Sequence, residues 1–358
     1  MKTTLQSIRN ALLTPVLALV ASLVIGAVVM LISGVDPLVA YGSLLKGSFG
    51  SEAAIGKTLS NATPLILTGI AVAFAFRGGL FNIGADGQFA AGAVTAAWLG
   101  VSLKLPGVLG PVTVLLAAAL AGGVVGALAG VLKARFRAHE VVVTIMLNFI
   151  VTNIAMWLLL HPLSGHTQVP GSATVDPANA LVQLPFGMPG VHFGLVVALL
   201  AAVLATVYLW RTPSGLELRV TGLSAKAAKY SGVSGTVAAM IALGGGGIFA
   251  CLAGAGEVLG TYGNMTVPFV ANLGFLGIGV ALLGRNHPLG CVVGGIILGA
   301  LSAGGQRMQF DLGISAHLTE ILVAVVLIFI TMEIVLTRRR KARISSTLLN
   351  SIEAPNAL

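Results

Sequence analysis

Charge is what this chain has least of. Only 9% of its 358 residues are Asp, Glu, Lys or Arg, and only 11 of those are acidic. Aromatic residues make up 6%, and there are two cysteines. So little charge excludes a soluble domain. At 56% hydrophobic residues and a mean hydropathy of +0.99, there is not enough polar surface to clothe a water-exposed globule of this size. Cys251 and Cys291 both lie in apolar runs and have neither disulfide-framework nor metal spacing, so they read as small buried apolar side chains. Catalytic signatures are missing too. His139-Glu140 lacks the second His that a zinc-protease helix needs, and no Gly-x-Ser-x-Gly elbow occurs. Gly50 to Thr58 imitates a P-loop, but five residues separate its glycines where the motif needs four. The sequence therefore predicts no catalytic residue, no metal site and no cofactor of its own.

What is present is apolar sequence in long runs. The chain reads as an all-α polytopic membrane protein with about ten transmembrane segments: 12–33, 61–77, 88–102, 109–132, 141–160, 192–210, 236–258, 270–284, 289–305 and 317–336. The second, third, eighth and ninth are short for a hydrocarbon core of about 30 Å. The first run follows Lys2 and Arg9 and is longer than the apolar core of a signal peptide, so it is expected to stay as a helix. One membrane domain is expected over residues 1–343, with a polar, mobile tail at 344–358. Ten crossings put both termini on one side. Sixteen of the 20 Lys and Arg then fall on that side, leaving only Lys46, Lys57, Lys104 and Arg307 opposite. Positive charge marks the cytoplasmic side, so the +9 net charge reflects topology in a cytoplasmic (inner) membrane rather than affinity for nucleic acid. Two long outer loops are expected, Ser33 to Ser60 and a proline-rich one from His161 to Val191, the second packing as a cap.

One stretch cannot be an ordinary membrane helix. Arg77-Gly78-Gly79-Leu80-Phe81-Asn82-Ile83-Gly84-Ala85-Asp86-Gly87-Gln88-Phe89 holds four glycines, an Asn, an Asp and a Gln. Glycine-interrupted segments of this kind are where transporters break helices around a pathway, and irregular backbone survives at that depth only in protein or beside water. Elsewhere, Gly122, Gly126 and Gly130 recur every four residues, as do Gly290 with Gly294 and Gly295 with Gly299, a spacing that lets helices approach closely. Asn82, Asp86 and Gln88 sit beside the break, and Asn148 and Asn272 are further polar groups in or near apolar segments. Each either lines a pathway or hydrogen-bonds a neighbouring helix, and Asp86 is expected at the cytoplasmic edge or paired with Arg77 before a pathway role. Phe81 and Phe275 either stack on a flat solute or pack as core. These seven residues are the pathway candidates.

The longest loop on the basic side runs from Arg211 to Gly232. Ser224 is a good N-cap for a short helix over Ala225 to Tyr230, bracketed by Gly222 and Gly232. A small capped surface helix there reads as a solvated loop or a docking element.

These blocks together resemble a known family. Arg77 to Gln88, Glu140 to Ile150, Gly215 to Gly232 and Gly274 to Gly290 are similar to the blocks of permease subunits of ATP-binding-cassette importers, in the superfamily handling branched-chain amino acids, ribose and nucleosides, and closest to the nucleoside, or simple-sugar, branch. Asp86 stands where that branch usually has Glu, and Ser224-Ala225-Lys226 where Asn-Pro and an acidic residue are common. The resemblance covers residues 55 to 335. It implies a pore-forming subunit with no ATPase of its own, ATP being used by a separate cytoplasmic subunit docked at Gly215, Ser224, Ala227, Ala228, Tyr230 and Gly232. It also implies a second permease subunit, a paralogue of this one, and an extracytoplasmic substrate-binding lipoprotein. The solute it points to is nucleoside-like. The alternatives are a sugar or other small solute, or a secondary transporter or channel working alone.

Overall fold

The computed structural model describes residues 20–21, 23–165, 169–185, 187–267, 269, 272–315, and 317, 320, 321, 324, 325 and 328. Among them, the expected segments from the second to the ninth each coincide with a helix; the first is described only in its second half, and the tenth and the tail at 344–358 lie largely or wholly outside the described residues. Six helices are long and apolar enough to cross a membrane, or seven if one bent pair forms a single span. The chain divides into two compact units, one of Met1–Leu44 with Gly305–Leu358 and one of Leu45–Gly304.

In the first unit, α1 (Leu23–Ile32) and the following α2 (Pro37–Phe49) are bent by 119°. Asp36 and Pro37 start α2: the Asp36 carboxylate accepts the Leu38 N–H at 2.9 Å, and Pro37 takes the first helical position, where its missing N–H costs nothing. Met30, Ala40 and Met308 form its core. The loop expected over Ser33 to Ser60 is therefore corrected. It holds α2 and the first turns of α3.

In the second unit, α3 (Glu52–Arg77) begins at Ser51, whose hydroxyl accepts the Ala54 N–H at 3.1 Å. It has 26 residues, about 39 Å at 1.5 Å per residue, not the short segment expected at 61–77. Its outer turns carry Glu52, Lys57, Thr58 and Ser60, where apolar periodicity stops. Glu52 and Lys57 stay exposed, while protein meets the buried Thr58 and Ser60; Thr58 Oγ1 donates to the Ser48 carbonyl at 2.9 Å. Likewise the expected segment 289–305 is part of the 25-residue α12 (Pro288–Leu312). By contrast α4 (Ala85–Ser102) and α11 (Leu273–Leu283) are short, with 18 and 11 residues.

The remaining helices are α5 (Leu109–Phe136), α6 (Glu140–Leu160), α7 (Gly194–Arg211), α8 (Pro213–Leu223), α9 (Ala225–Tyr230) and α10 (Gly235–Glu257). α10 runs on into a π-helical turn, Val258–Tyr262. α10 packs against α3, α4 and α5, and α11 against α3 and α4. Glycine makes these approaches possible. A β-carbon at Gly122, Gly126 or Gly130 of α5 would overlap the backbone of α10 at Gly247, Leu243 and Met240 respectively. On α12, a β-carbon at Gly299 would overlap the Thr58 carbonyl of α3, and one at Gly295 the Ile66 side chain.

At the end opposite the basic one, the described residues of 161–193 fold over the helix ends with one 3-10 turn, Pro177–Asn179, as their only helical element. Gly171 pairs with Thr266 and Gln183 with His192 in isolated bridges. Asn179 Nδ2 donates to the carbonyls of Gly100 and Leu103, at 2.9 and 2.7 Å, tying this segment to the end of α4.

Candidate translocation and docking sites

α3 stops at Arg77 in a pattern set by glycine. The Gly79 N–H returns to the Phe76 carbonyl at 3.1 Å and the Leu80 N–H to Ala75 at 3.1 Å, with Gly79 at φ +73°. That left-handed closure is the conformation glycine adopts at least cost, having no β-carbon. The chain then runs unwound to Gly84 before α4 begins. α11 also begins inside the unit, after Asn272 at φ +75°. Eleven residues of helix span about 16 Å, roughly half the thickness of a membrane core.

The two starts meet. A β-carbon on Gly274 would overlap the backbone of Asp86, and Asp86 Oδ1 accepts the Gly274 N–H at 3.1 Å. Two helix N-termini facing each other would bring two positive dipole ends together, and one carboxylate between them offsets both. Asp86 is therefore held by protein, as the capping residue of a junction between two broken helices.

The other sequence candidates divide by burial. Asn82 and Gln88 are 1% and 2% exposed and bond to each other, Asn82 Nδ2 donating to Gln88 Oε1 at 2.9 Å. Asn148 arrives from α6: its Oδ1 accepts the Gly87 N–H at 2.8 Å and its Nδ2 donates to the Ile83 carbonyl at 2.7 Å. These three amides fasten the unwound segment. Phe81 and Phe275 are 54% and 43% exposed, and Asn272 is exposed. Phe81 lies edge-on to Phe76 with centroids 4.8 Å apart. Phe89, which flanks the same amides in sequence, is buried and stacked on Phe269 at 5.7 Å.

At the basic end the long loop folds into two helices, not one. Thr212 caps α8, accepting the Gly215 N–H at 3.1 Å, and Ser224 caps α9, accepting the Ala227 N–H at 3.2 Å, as its sequence predicts. Gly222 does not bracket α9; it lies within α8, pressed on the α3 elbow, where a β-carbon would come 2.8 Å from the Gly79 nitrogen. Gly215 is buried against α7 at Leu209, and Gly232 turns the chain after α9 at φ +80°. Ala228 is buried against the chain's own fold, whereas Ala227 is exposed. Leu223 and Tyr230 are 89% and 93% exposed. Sequence reasoning named Tyr230 but passed over Leu223, whose signal was an apolar side chain between Gly222 and the capping serine.

Trp210 organises this end. The Arg77 and Arg219 guanidinium carbons lie 5.1 and 5.6 Å from its ring centroid, and His287 packs on it at 4.5 Å. Burial, and then the Arg77 charge, hold the His287 imidazole below its ordinary pKa. Arg77 Nε donates to the Asn286 carbonyl at 2.6 Å and Nη2 reaches that of Arg285 at 3.4 Å. The elbow after α3 is thus bound to the corner between α11 and α12.

Comparison with known proteins decides what this architecture belongs to. Residues 54–331 match the family described as branched-chain amino acid transport system / permease component. The chain belongs to that family. It is 38% identical over 325 residues to the guanosine ABC transporter permease protein NupP of Bacillus subtilis, covering 89% of this chain and 92% of that one. It is 34% identical to the glucose ABC transporter permease protein TsgB13 of Haloferax volcanii, covering 88% and 86%. It is 30% identical to the nucleoside ABC transporter permease protein NupB of Lactococcus lactis subsp. cremoris, covering 90% and 92%. No solved structure matches the chain. As an ABC transporter permease of the nucleoside branch, the protein has its broken helices in the element that its sequence singled out.

Proposed function

We propose that this permease imports a nucleoside-like solute, delivered by an extracytoplasmic binding lipoprotein, using ATP hydrolysed by a separate cytoplasmic subunit, and that α8 and α9 receive that subunit. Residues 1–343 act as one membrane domain with both termini cytoplasmic, paired with a second, paralogous permease. The permease itself carries no catalytic residue and no cofactor. The observation that carries the docking reading is the exposure of Leu223 and Tyr230. They are the most exposed large apolar side chains among the described residues; Leu223 ends α8 and Tyr230 ends α9, flanking Lys226 and Lys229 of α9 at the basic end. Lipid covers apolar side chains along spans; a six-residue helix between polar caps lies outside the hydrocarbon and needs a protein partner. A secondary transporter would need a free carboxylate for ion coupling. Here Asp86 caps α11, and Glu257 accepts from Thr261 at 3.4 Å.

The nucleoside reading is supported by likeness to NupP and NupB, and by exposed Phe81 and Phe275 beside the helix junction. Aromatic faces stack on any base, and a transport site uses only part of the roughly 1–3 kcal/mol available per base because it must release its cargo. The test is uptake of labelled guanosine, adenosine, uridine, ribose and glucose by cells carrying the whole system, against a deletion of this gene. Nucleoside uptake should be lost in the deletion. Loss of sugar uptake with nucleoside uptake intact would transfer the assignment to the sugar reading that TsgB13 represents. Docking is tested separately. Leu223→Asp or Tyr230→Ala should prevent co-purification of the ATPase, and full assembly with both variants would remove α9 as the docking element.

A further inference from the structure

We propose that α8 moves the elbow 77–84 and both short helices, α4 and α11, as one body, with a backbone contact at Gly79 and Gly222 and the Arg77 guanidinium as its two joints. This rests on the reading of α8 and α9 as the docking segment.

Of four links, one attaches α8 and three close a ring. The first joins α8 to the elbow. With glycine at both positions the two backbones touch directly: a β-carbon on Gly79 would come 2.9 Å from the Gly222 Cα, and one on Gly222 would overlap the Arg77 carbonyl. Beside them, Leu218 of α8 is buried against Gly78, where a β-carbon would lie 3.0 Å from Leu218 Cδ1. The second joins the elbow to the corner that ends α11, through Arg77 on the Asn286 and Arg285 carbonyls. The third joins the starts of α11 and α4, through Asp86 on the Gly274 N–H. The fourth is the chain itself, from the elbow into α4. α8 and Arg77 also share Trp210, with Arg219 and Arg77 both over its ring.

The nature of the first joint matters. Where side chains touch, a displacement is absorbed by rotamer changes. Where backbones touch without side chains between them, close-packed matter transmits it. A displacement of α8 therefore reaches the start of α4 and, through Arg77, the end of α11. The two broken helices cannot part without losing the Asp86 cap. Phe81 rides on this body.

The test uses the whole transporter, with its ATPase, partner permease and binding protein, in proteoliposomes. Phe81→Cys is labelled with a water-soluble thiol reagent with and without ATP; the native Cys251 and Cys291 are buried. Labelling should change with nucleotide. Gly222→Ala, or the milder Leu218→Ala should the first fail to fold, should abolish that change. Uptake per ATP hydrolysed should fall about tenfold, a coupling loss of about 1.4 kcal/mol, with assembly and ATPase rate retained. Gly235→Ala, where a β-carbon meets nothing within 4 Å, is the control and should behave as wild type. An unchanged labelling response and unchanged uptake per ATP in Leu218→Ala would overturn the proposal. So would loss of assembly and ATPase activity in step with uptake in both variants, since α8 would then serve only to dock. The docking reading fails independently, through full assembly of the Leu223 and Tyr230 variants.

Discussion

α3 and α6 are both apolar helices long enough to cross a membrane, yet they sit oppositely. In its most apolar window α3 is 83% buried inside the protein; α6 is 11% buried and is the more apolar of the two. In water the order would be reversed. In a bilayer, lipid is as apolar as leucine, so hydropathy does not draw a helix inward. What places α3 at the centre is small residues and polar groups that need protein partners. Its buried face includes Thr58, Ser60, Thr63, Thr68 and Gly69. α6 touches the bundle along one stripe, Thr144, Asn148, Ala155 and Leu159, and shows its large apolar side chains outward.

The contrast breaks most severely where centre meets centre. Gly254 of α10 lies against α4 so closely that a β-carbon would overlap the Phe89 carbonyl. No flexible side chain there can yield. Gly254→Ala should cost more than about 4 kcal/mol, the range of severe overpacking and backbone displacement, and leave little folded permease. Fluorescence-detected size exclusion of the solubilised variant measures this. A monodisperse wild-type peak would show that the α4–α10 approach is looser than described.

The next largest effect belongs to α6, whose hold on the bundle depends on few groups. Asn148→Leu preserves size but strands the Gly87 N–H and the Ile83 carbonyl. Each unpaired buried group costs about 1–3 kcal/mol, so a thermal shift equivalent to about 2–4 kcal/mol is expected, with uptake falling because the unwound segment loses its fastening. Asn148→Asp keeps the acceptor for Gly87 and should recover part of the loss. If Asn148→Leu matches wild type in both stability and uptake, α6 is held by packing alone.

Asp86→Ala should cost less, about 1 kcal/mol, the usual worth of a helix cap, because the remaining N–H groups of α11 stay in protein. Its functional effect should exceed its effect on stability, since the junction of α4 and α11 loses its shared anion. Asp86→Glu, the residue usual in this branch, should restore uptake if the longer carboxylate reaches Gly274.

These cases show what could be read in advance. The break after α3 was legible because paired glycines weaken a helix and Asn, Asp and Gln beside them are costly in hydrocarbon unless protein or water meets them. The capped helix at Ser224 was legible because capping is local. Helix ends were not. The hydropathy of α3 stops near Asn61, but the helix runs back to Glu52 because Ser48 and other protein groups receive its polar turns, which is a tertiary fact. For the same reason Asn82 and Gln88 looked available to a solute until each proved to be the other's partner. Ala228 looked like the surface of the docking helix, and only the three-dimensional course of α8 turns it inward. Leu223 was missed because exposure of a leucine is invisible without knowing where the bundle ends.

The smallest expected effect isolates lipid from protein within a single helix. α5 carries Gly122, Gly126 and Gly130 on one face and Leu116, Leu120, Val124 and Leu128, also four apart, on the other, where each is 48–72% exposed. The first face meets α10 and the second is exposed. Leu120→Ala removes apolar surface from a position that stays in an apolar medium whether the protein is folded or not, so the transfer cost seen in soluble cores should not arise. The expected change is within about 0.5 kcal/mol, with wild-type uptake. Gly126→Ala, six residues away on the other face, should be among the worst substitutions in the chain, because its β-carbon overlaps the Leu243 carbonyl. The informative result is the pair. If Leu120→Ala proves as damaging as Gly126→Ala, the outer stripe of α5 is covered by protein, and co-purification of the second permease with that variant would show whether the paired subunit is what covers it.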